Sequence, residues 1–519
     1  MRLPARPFSW LQSTRWRALL LVWLFQLSPA WSQPLPGLGE GEGLSLGSER
    51  RLGDRIAQQI YRDNDYLEDP VLDEYVASLW RPLVQAAVRR GQLSAEVQER
   101  FAWRILLVRD RSLNAFALPG GYLGVHLGLI AGVASSDELA SVLAHELTHV
   151  TQRHIARGMD DQARMAPWLM GSMILGALLL GRSAQGGQAL ILGGQAAATQ
   201  SQLNYSRDME READRIGFGL MTDAGFDARG FASMFGKLQQ AAQLNDSGNY
   251  PYLRSHPMTT ERMADMQLRL PPGTQGGAPQ GTLEQALLAS RARVMAQANA
   301  DAMRSFIREA EAVDASTPPR VQAARFYAAA LAQAYFDDLP AARAWLTRLS
   351  HLVAPSAGAA RLLRLLQSEL ALRAQAPEQA WRALVPNDAS PWPEGRPERL
   401  AMAEALARLP AGGPLWDEQA ARMVEALRDR LRMAPDDAAV WQALSPLLAR
   451  QGKAVAALRA DGEAQMARLD LEGAIDRFRS AQDRARRSAL GPGEHIEAAI
   501  ADARLRQAQA LMREWQKEK

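Results

Sequence analysis

Two imidazoles and a carboxylate fall within five residues, His145-Glu146-Leu147-Thr148-His149. The 519-residue chain has seven histidines. At that frequency an H-E-x-x-H pattern arises by chance only about 0.005 times per chain, so the spacing carries information. On a helix, positions i and i+4 share one face, and His145 and His149 can then present two nitrogens to one Zn²⁺. Glu146 lies about 100° around the same helix. From there its carboxylate can take a proton from a water at the metal, as a general base. A catalytic zinc needs a third protein ligand and an open position.

Downstream, Glu210 and Asp214 again stand four apart on a predicted helix, Ser206 to Leu220, with Ser206 as its cap. Glu210 is the candidate third ligand. Asp214 is a candidate acceptor for the distal N–H of a ligating histidine, which would fix its tautomer. His256 sits beside Pro257, after a polar loop at 245–250 and just ahead of Arg262. Three ligands are already accounted for, so His256 is expected as a catalytic-site group that moves rather than a permanent ligand. His154 is five residues past His149, about 140° away on a continuous helix, and is not expected to ligate. His126 is placed near the groove, and His351 and His495 need no special role.

These side chains require elements to hold them. Ser135 and Glu138 form an S-x-x-E capping box, and Leu139, Val142, Leu143 and Val150 supply an apolar stripe for the helix carrying His145. Before it, Phe101 to Val108, Leu113 to Leu118 and Tyr122 to His126 read as strands around a Pro-Gly-Gly turn, a small antiparallel sheet. The uncharged stretch Asn114 to Ala117 reads either as an edge strand, to which an extended peptide could add, or as an ordinary core strand. Ser48 to Gln98 is helical in pattern, with a helix start at Pro70. After His149 come two charge-poor runs, Ala166 to Gly181 and Ser183 to Ser201. Sixteen residues give about 24 Å of helix, short of a ~30 Å hydrocarbon core, so this region is expected to cover the site or lie on a membrane surface.

The whole chain is too long for one core. Residues 1–32 read as a signal peptide: arginines first, the apolar run Ala18 to Leu27, then small residues at Ala30 and Ser32. Cleavage after Ser32 is expected, with an uncleaved N-terminal anchor as the alternative, and export would place the protein in a periplasm or beyond. The formal charge is +3, and loss of the four arginines of that leader takes it to −1, which gives no electrostatic reason to expect nucleic acid. With no cysteine, disulfides, thiolate metal sites and a lipidated N-terminal cysteine are excluded. Residues 33–47 read as a linker, 48–270 as a zinc metalloprotease domain and 271–283 as a second linker. Residues 284–519 are rich in Ala, Leu and Arg, with Gly462, Ala474, Phe478 and Ala481 at the spacings of a 34-residue tetratricopeptide unit. Trp441, Leu444 and Gly452 suit an adjacent helix and turn; Phe326, Tyr335, Ala342 and Pro355 sketch another pair. The fold class is therefore α+β: a mostly helical zincin-type domain with a small sheet, followed by an all-α tetratricopeptide-like repeat domain with a concave binding face.

The motifs His145–His149, Glu210-x-x-x-Asp214 and His256-Pro257, in that order, resemble the gluzincin branch that contains CAAX prenyl proteases and the bacterial heat-shock membrane protease. A signal peptide in place of membrane spans and the C-terminal repeats resemble its periplasmic members. The resemblance implies His145, His149 and Glu210 as ligands of one zinc per chain, Glu146 as catalyst, and His256 as a histidine able to occupy the metal's open position. It also implies a dual role, degrading stalled outer-membrane β-barrel precursors and assisting assembly of others. The implied partners are those clients and the β-barrel assembly machinery, with peripheral outer-membrane contact. Two alternatives stand beside it: a protease-silent chaperone or adaptor that holds clients on its repeats, and an integral membrane prenyl protease, for which the apolar runs are short.

Overall fold

The computed structural model describes residues 44–160, 207–243, 252–271, 279–387, 391–410, 412–487, 491 and 493–517. The expected signal peptide, the charge-poor stretch 166–201, the cap Ser206 and the polar loop 245–250 lie outside the described residues.

Helix α1 (Leu46–Arg62) starts inside the expected linker, because Ser45 caps it: its Oγ accepts from the Ser48 N–H at 3.2 Å. A two-residue strand, β1 (Tyr66–Leu67), follows. Helix α2 (Pro70–Arg89) carries Pro70 in its first turn as expected, and its cap Asp69 accepts from the Leu72 N–H at 2.9 Å. After α3 (Ala95–Arg100) come β2 (Arg104–Val108), β3 (Ala115–Leu118) and β4 (Tyr122–His126).

The sheet order is β1-β2-β4-β3. It is mixed rather than wholly antiparallel. β1–β2 and β3–β4 run antiparallel, but β2 and β4 are parallel, with Leu106 opposite Gly124. The chain reverses before β3 and again at the Pro119–Gly121 turn, so β4 runs with β2 and slides in beside it. Every residue of β4 is buried, the pattern of a central strand with neighbours on both sides. That leaves β3 at the edge, one of the two places its sequence allowed. Gly124 is required here: a Cβ would stand 2.1 Å from the Phe116 ring of β3.

Helix α4 (Leu127–Gly132) leads to α5 (Ser136–Thr151), which carries the His145–His149 motif. Half of the expected capping box forms: the Ser135 Oγ accepts from Glu138 N–H at 3.3 Å, but the Glu138 carboxylate reaches one residue further back, Oε2 accepting from Ala134 N–H at 2.6 Å. Every residue from Glu138 to Val150 is buried, because β3, α2 and two later helices, α7 (Arg207–Asp223) and α8 (Arg229–Gln243), pack around α5. Between them α6 (His154–Asp160) restarts the chain after a turn at Gln152-Arg153, with Arg153 at φ 52°. Two short helices, α9 (Tyr252–Ser255) and α10 (Thr260–Arg269), flank His256.

The rest is helical: α11 (Leu283–Ala296), α12 (Ala300–Glu311), α13 (Pro319–Tyr335), α14 (Leu339–Val353), α15 (Ala357–Arg373), α16 (Pro377–Leu384), α17 (Arg396–Arg408), α18 (Pro414–Met433), α19 (Ala438–Arg450), α20 (Ala454–Ala467), α21 (Leu471–Arg487) and α22 (Glu494–Lys517). Consecutive helices pack as hairpins, α13 on α14, α15 on α16, α19 on α20 and α21 on α22. Phe478 of α21 is fully buried and packs where a Cβ on Gly462 of α20 would stand 2.4 Å from its ring. Ala474 and Ala481 are buried beside it, whereas Tyr335 is 47% exposed and does not join a core.

The division expected at 271–283 is a change of composition and not of packing. Leu44–Lys519 form one compact unit, and a single apolar core runs from α2 and α5 through α11 to α20. Ion pairs stitch the two parts together: Arg291 to Asp69 at 2.6 Å, Arg468 to Glu68 at 2.6 Å and Arg104 to Asp436 at 2.7 Å. Helix α11 packs on α4. Among the described residues, no helix is long and apolar enough to cross a membrane.

Candidate metal centre

Helix α7 reaches the motif because it lacks a side chain where the two helices touch. A Cβ on Gly217 would stand 3.1 Å from the Ala144 carbonyl and the His145 N. Glu210, Asp214 and Gly217 lie at i, i+4 and i+7, hence on one stripe of α7. With Gly217 against Ala144, the two acids come down on His145 and His149.

His145, His149, Glu210 and His256 converge. Each offers one ligand atom, and these atoms all lie within 4.8 Å of one another. His149 Nε2 and His145 Nε2 are 3.0 Å apart, and Glu210 Oε1 and Oε2 lie 3.5 and 3.6 Å from them respectively. All four residues are buried, with none more than 2% exposed. His256 Nδ1 stands 2.9 Å from Glu210 Oε1 and 3.3 Å from His145 Nε2. Its Nε2 points at Glu146 Oε1, 3.3 Å away.

The remaining atoms are held by neighbours. His145 Nδ1 donates to Asp214 Oδ1 at 3.0 Å. Arg262 donates to both Asp214 oxygens, at 2.6 and 2.8 Å, and to the Pro257 carbonyl at 2.8 Å, and its Nη1 lies 2.8 Å from Glu210 Oε2. One guanidinium thus ties both acids of α7 to the His256 loop. Glu146 Oε2 accepts the Ala117 N–H of the edge strand at 2.9 Å. Tyr252 is buried and stacks on His256, ring centroids 4.4 Å apart.

Electrostatics follow from burial. It pushes the Glu146 carboxyl above its ordinary range, against the pull of His256 and His145. Burial, with His145 and His256 beside it, holds His149 well below its ordinary value, so it is neutral and able to ligate. Burial would raise Glu210 too, but His256 and His145 bring it below the usual range; Asp214 is likewise lowered, chiefly by its hydrogen bonds from Arg262 and His145.

The donor set fits a divalent metal. Two imidazoles with their far nitrogens engaged and a carboxylate form a zinc-type N/N/O site. One buried carboxylate oxygen in it, Glu146 Oε1, lacks a well-formed hydrogen bond, as expected where a water belongs.

All six residues singled out from the sequence, His145, Glu146, His149, Glu210, Asp214 and His256, come together here. His126 does not; it is held by Ser112 Oγ at 2.9 Å and faces Asp110. Sequence reasoning missed three others. Arg262 was placed in its helix but given no task. Tyr252 was passed over, its aromatic ring four residues ahead of His256 being the available sign. His154 was set aside on a helical-wheel argument that fails because the helix breaks at Arg153.

The fold and the cluster have the form of an HExxH metal centre. Residues 80–269 match the model of peptidase family M48. The chain is 34% identical over 249 residues to the Escherichia coli beta-barrel assembly-enhancing protease, covering 47% of this chain and 49% of that one. It is 38% identical over 238 residues to a Vibrio cholerae protein given the same name provisionally, covering 45% and 47%. It is also 30% identical over 195 residues to the Arabidopsis thaliana mitochondrial metalloendopeptidase OMA1, covering 38% and 36%. The chain spans about half the length of the bacterial relatives it matches.

Proposed function

We propose that this protein is a zinc endopeptidase of the periplasm that acts in quality control and assembly of outer-membrane β-barrel proteins. The observation that carries the enzymatic reading is the buried convergence of His145, His149 and Glu210 beside Glu146. These three would hold one Zn²⁺ per chain. When bound, that ion polarises a peptide carbonyl and makes water more acidic. Glu146 would take the proton of the attacking water and pass it to the leaving amine; the Ala117 N–H fixes its Oε2 and leaves Oε1 facing the cluster. Asp214 keeps the His145 proton on Nδ1 and its Nε2 free. An extended substrate would add to the open edge of β3.

His256 belongs to the same machinery as a closing group. It stands against Glu210 and Glu146, and a third imidazole there, as a fourth ligand, excludes the water that must attack. We assign it a switch role, opening when substrate enters. The substrate and compartment rest on the names of the relatives and on the leader-like N-terminus.

A second reading, a client-holding chaperone, is favoured by a separate observation. A cleft of about 930 Å³, whose lining includes none of the clustered histidines, is bounded by Tyr61, Tyr66, Trp103, Arg396, Arg430 and Arg468 among others. Helices 284–519 would then bind clients or the β-barrel assembly machinery rather than carry chemistry. Both activities can reside in one chain. The test is Glu146→Gln: metal analysis should still find one zinc, and cleavage of casein or an unfolded β-barrel protein should disappear. Full complementation of a deletion by Glu146→Gln would make the binding reading the physiological one; a wild-type protein without zinc would end the enzymatic one.

A further inference from the structure

The distal nitrogens of the two motif histidines are held differently. His145 Nδ1 faces the Asp214 carboxylate. His149 Nδ1 instead faces another imidazole nitrogen, His154 Nδ1, at 2.8 Å. Two ring nitrogens at that distance share one proton, so one donates and the other accepts. His149 turns Nε2 toward His145 Nε2 and Glu210. Its Nδ1 therefore carries the proton, and His154 Nδ1 accepts it. The proton of neutral His154 then sits on Nε2, which donates to Glu212 Oε2 at 3.0 Å. Arg157 Nη1 donates to the same oxygen at 2.9 Å.

A break in the chain makes this contact. On an unbroken helix His154 would point about 140° from His149. Arg153 sits instead in the left-handed region, φ 52°, held there by a 2.8 Å pair with the buried Glu49 of α1. The turn brings the His154 ring back to 4.8 Å from the His149 ring, at 78°, where it is completely buried.

We infer that His154 and Glu212 are positioning residues: the relay Glu212–His154–His149 fixes the tautomer and orientation of His149, as Asp214 does for His145. This rests on the reading that His149 binds metal. Such outer partners typically contribute 10–100-fold in metal affinity.

The test uses the full chain and measures the zinc dissociation constant by chelator competition, with circular dichroism as a check on folding. His154→Leu removes the acceptor and should weaken zinc 10–100-fold. In His154→Asn the amide oxygen takes the place of Nδ1, and affinity should return to within about threefold of wild type. His154→Gln reaches toward Glu212 instead and should resemble His154→Leu. The proposal is overturned if His154→Leu binds zinc as tightly as wild type. It is equally overturned if His154→Asn is as weak as His154→Leu, since the ring would then only fill space. Should His154→Leu fail to fold, long-range ¹H–¹⁵N spectra of ¹⁵N-histidine-labelled wild type decide. A proton on His154 Nε2 is expected, and one on Nδ1 refutes the relay. Absence of zinc binding by wild type would instead strike the metal reading itself.

Discussion

Arg291 joins the peptidase domain to the helical region, and its replacement by Met measures how far the two depend on each other. The side chain is 5% exposed. Its guanidinium contacts both oxygens of Asp69 at 2.6 to 3.0 Å, Glu369 at 2.9 Å and the Tyr327 hydroxyl at 3.4 Å. Asp69 caps α2 and is 3% exposed. Without Arg291 its carboxylate keeps the Leu72 N–H but no cation bonded to it. Removing one partner of a buried pair costs about 3–5 kcal/mol. At about 2.1 cal/mol/K per residue, unfolding of a unit the size of Leu44–Lys519 carries roughly 1 kcal/mol/K of entropy, so Tm should fall by about 3–5 °C. Calorimetry of Arg291→Met is the assay. Asp69→Asn in the same chain keeps the cap and removes the orphaned charge, so most of the loss should return. A fall below about 1 °C, or no recovery with Asp69→Asn, would refute the argument. Because one core spans both parts, a single transition is expected; two separate transitions would show that 284–519 folds apart.

Three further outcomes follow from the metal centre. Glu210→Gln should lower zinc occupancy well below one per chain, and unchanged stoichiometry in the purified variant would remove Glu210 from the ligand set. His256→Ala should keep zinc and show equal or higher kcat/KM on an unfolded substrate; a loss of about 10²–10³ would instead make His256 an oxyanion stabiliser. Gly217→Val places branched carbons where the Ala144 carbonyl and His145 N stand, so α7 must retreat from α5; both Tm and zinc affinity should drop, and a variant that matches wild type in both would show that the helices do not need this contact.

What the sequence made legible was whatever depends on spacing along one helix. The pairs His145/His149 and Glu210/Asp214 are i,i+4 arrangements, and a helix fixes their faces whatever else happens. The cap at Ser135 was legible for the same reason: it follows from local chemistry, whereas the uncharged stretch Asn114 to Ala117 suits an edge strand and a core strand alike. The order of the sheet was not. Nothing within Arg104–Val108 says that its neighbour will be β4 rather than β3; that is decided by how the hairpin folds across the core. His154 shows the limit most clearly. Its angle was computed for a continuous helix, but Arg153 leaves helical geometry because Glu49, 104 residues earlier, pairs with it. Arg291 and Asp69, 222 residues apart, pair across a boundary that composition drew as a linker.

The same distinction explains why the site could be named before its surroundings. Its ligands come from two helices, and each supplies a rigid pair; only the meeting of the pairs needs tertiary structure, and Gly217 is the residue that permits it. The groups that tune the site come from elsewhere. Arg262 ties Glu210 and Asp214 to the carbonyl next to His256, so any movement of His256 pulls on a hydrogen bond from the guanidinium that also holds the acids. The opening assigned to His256 is therefore coupled to the orientation of Asp214, and through Asp214 to His145. A closing group wired in this way would restrain Glu146 while His145, His149 and Glu210 stay together.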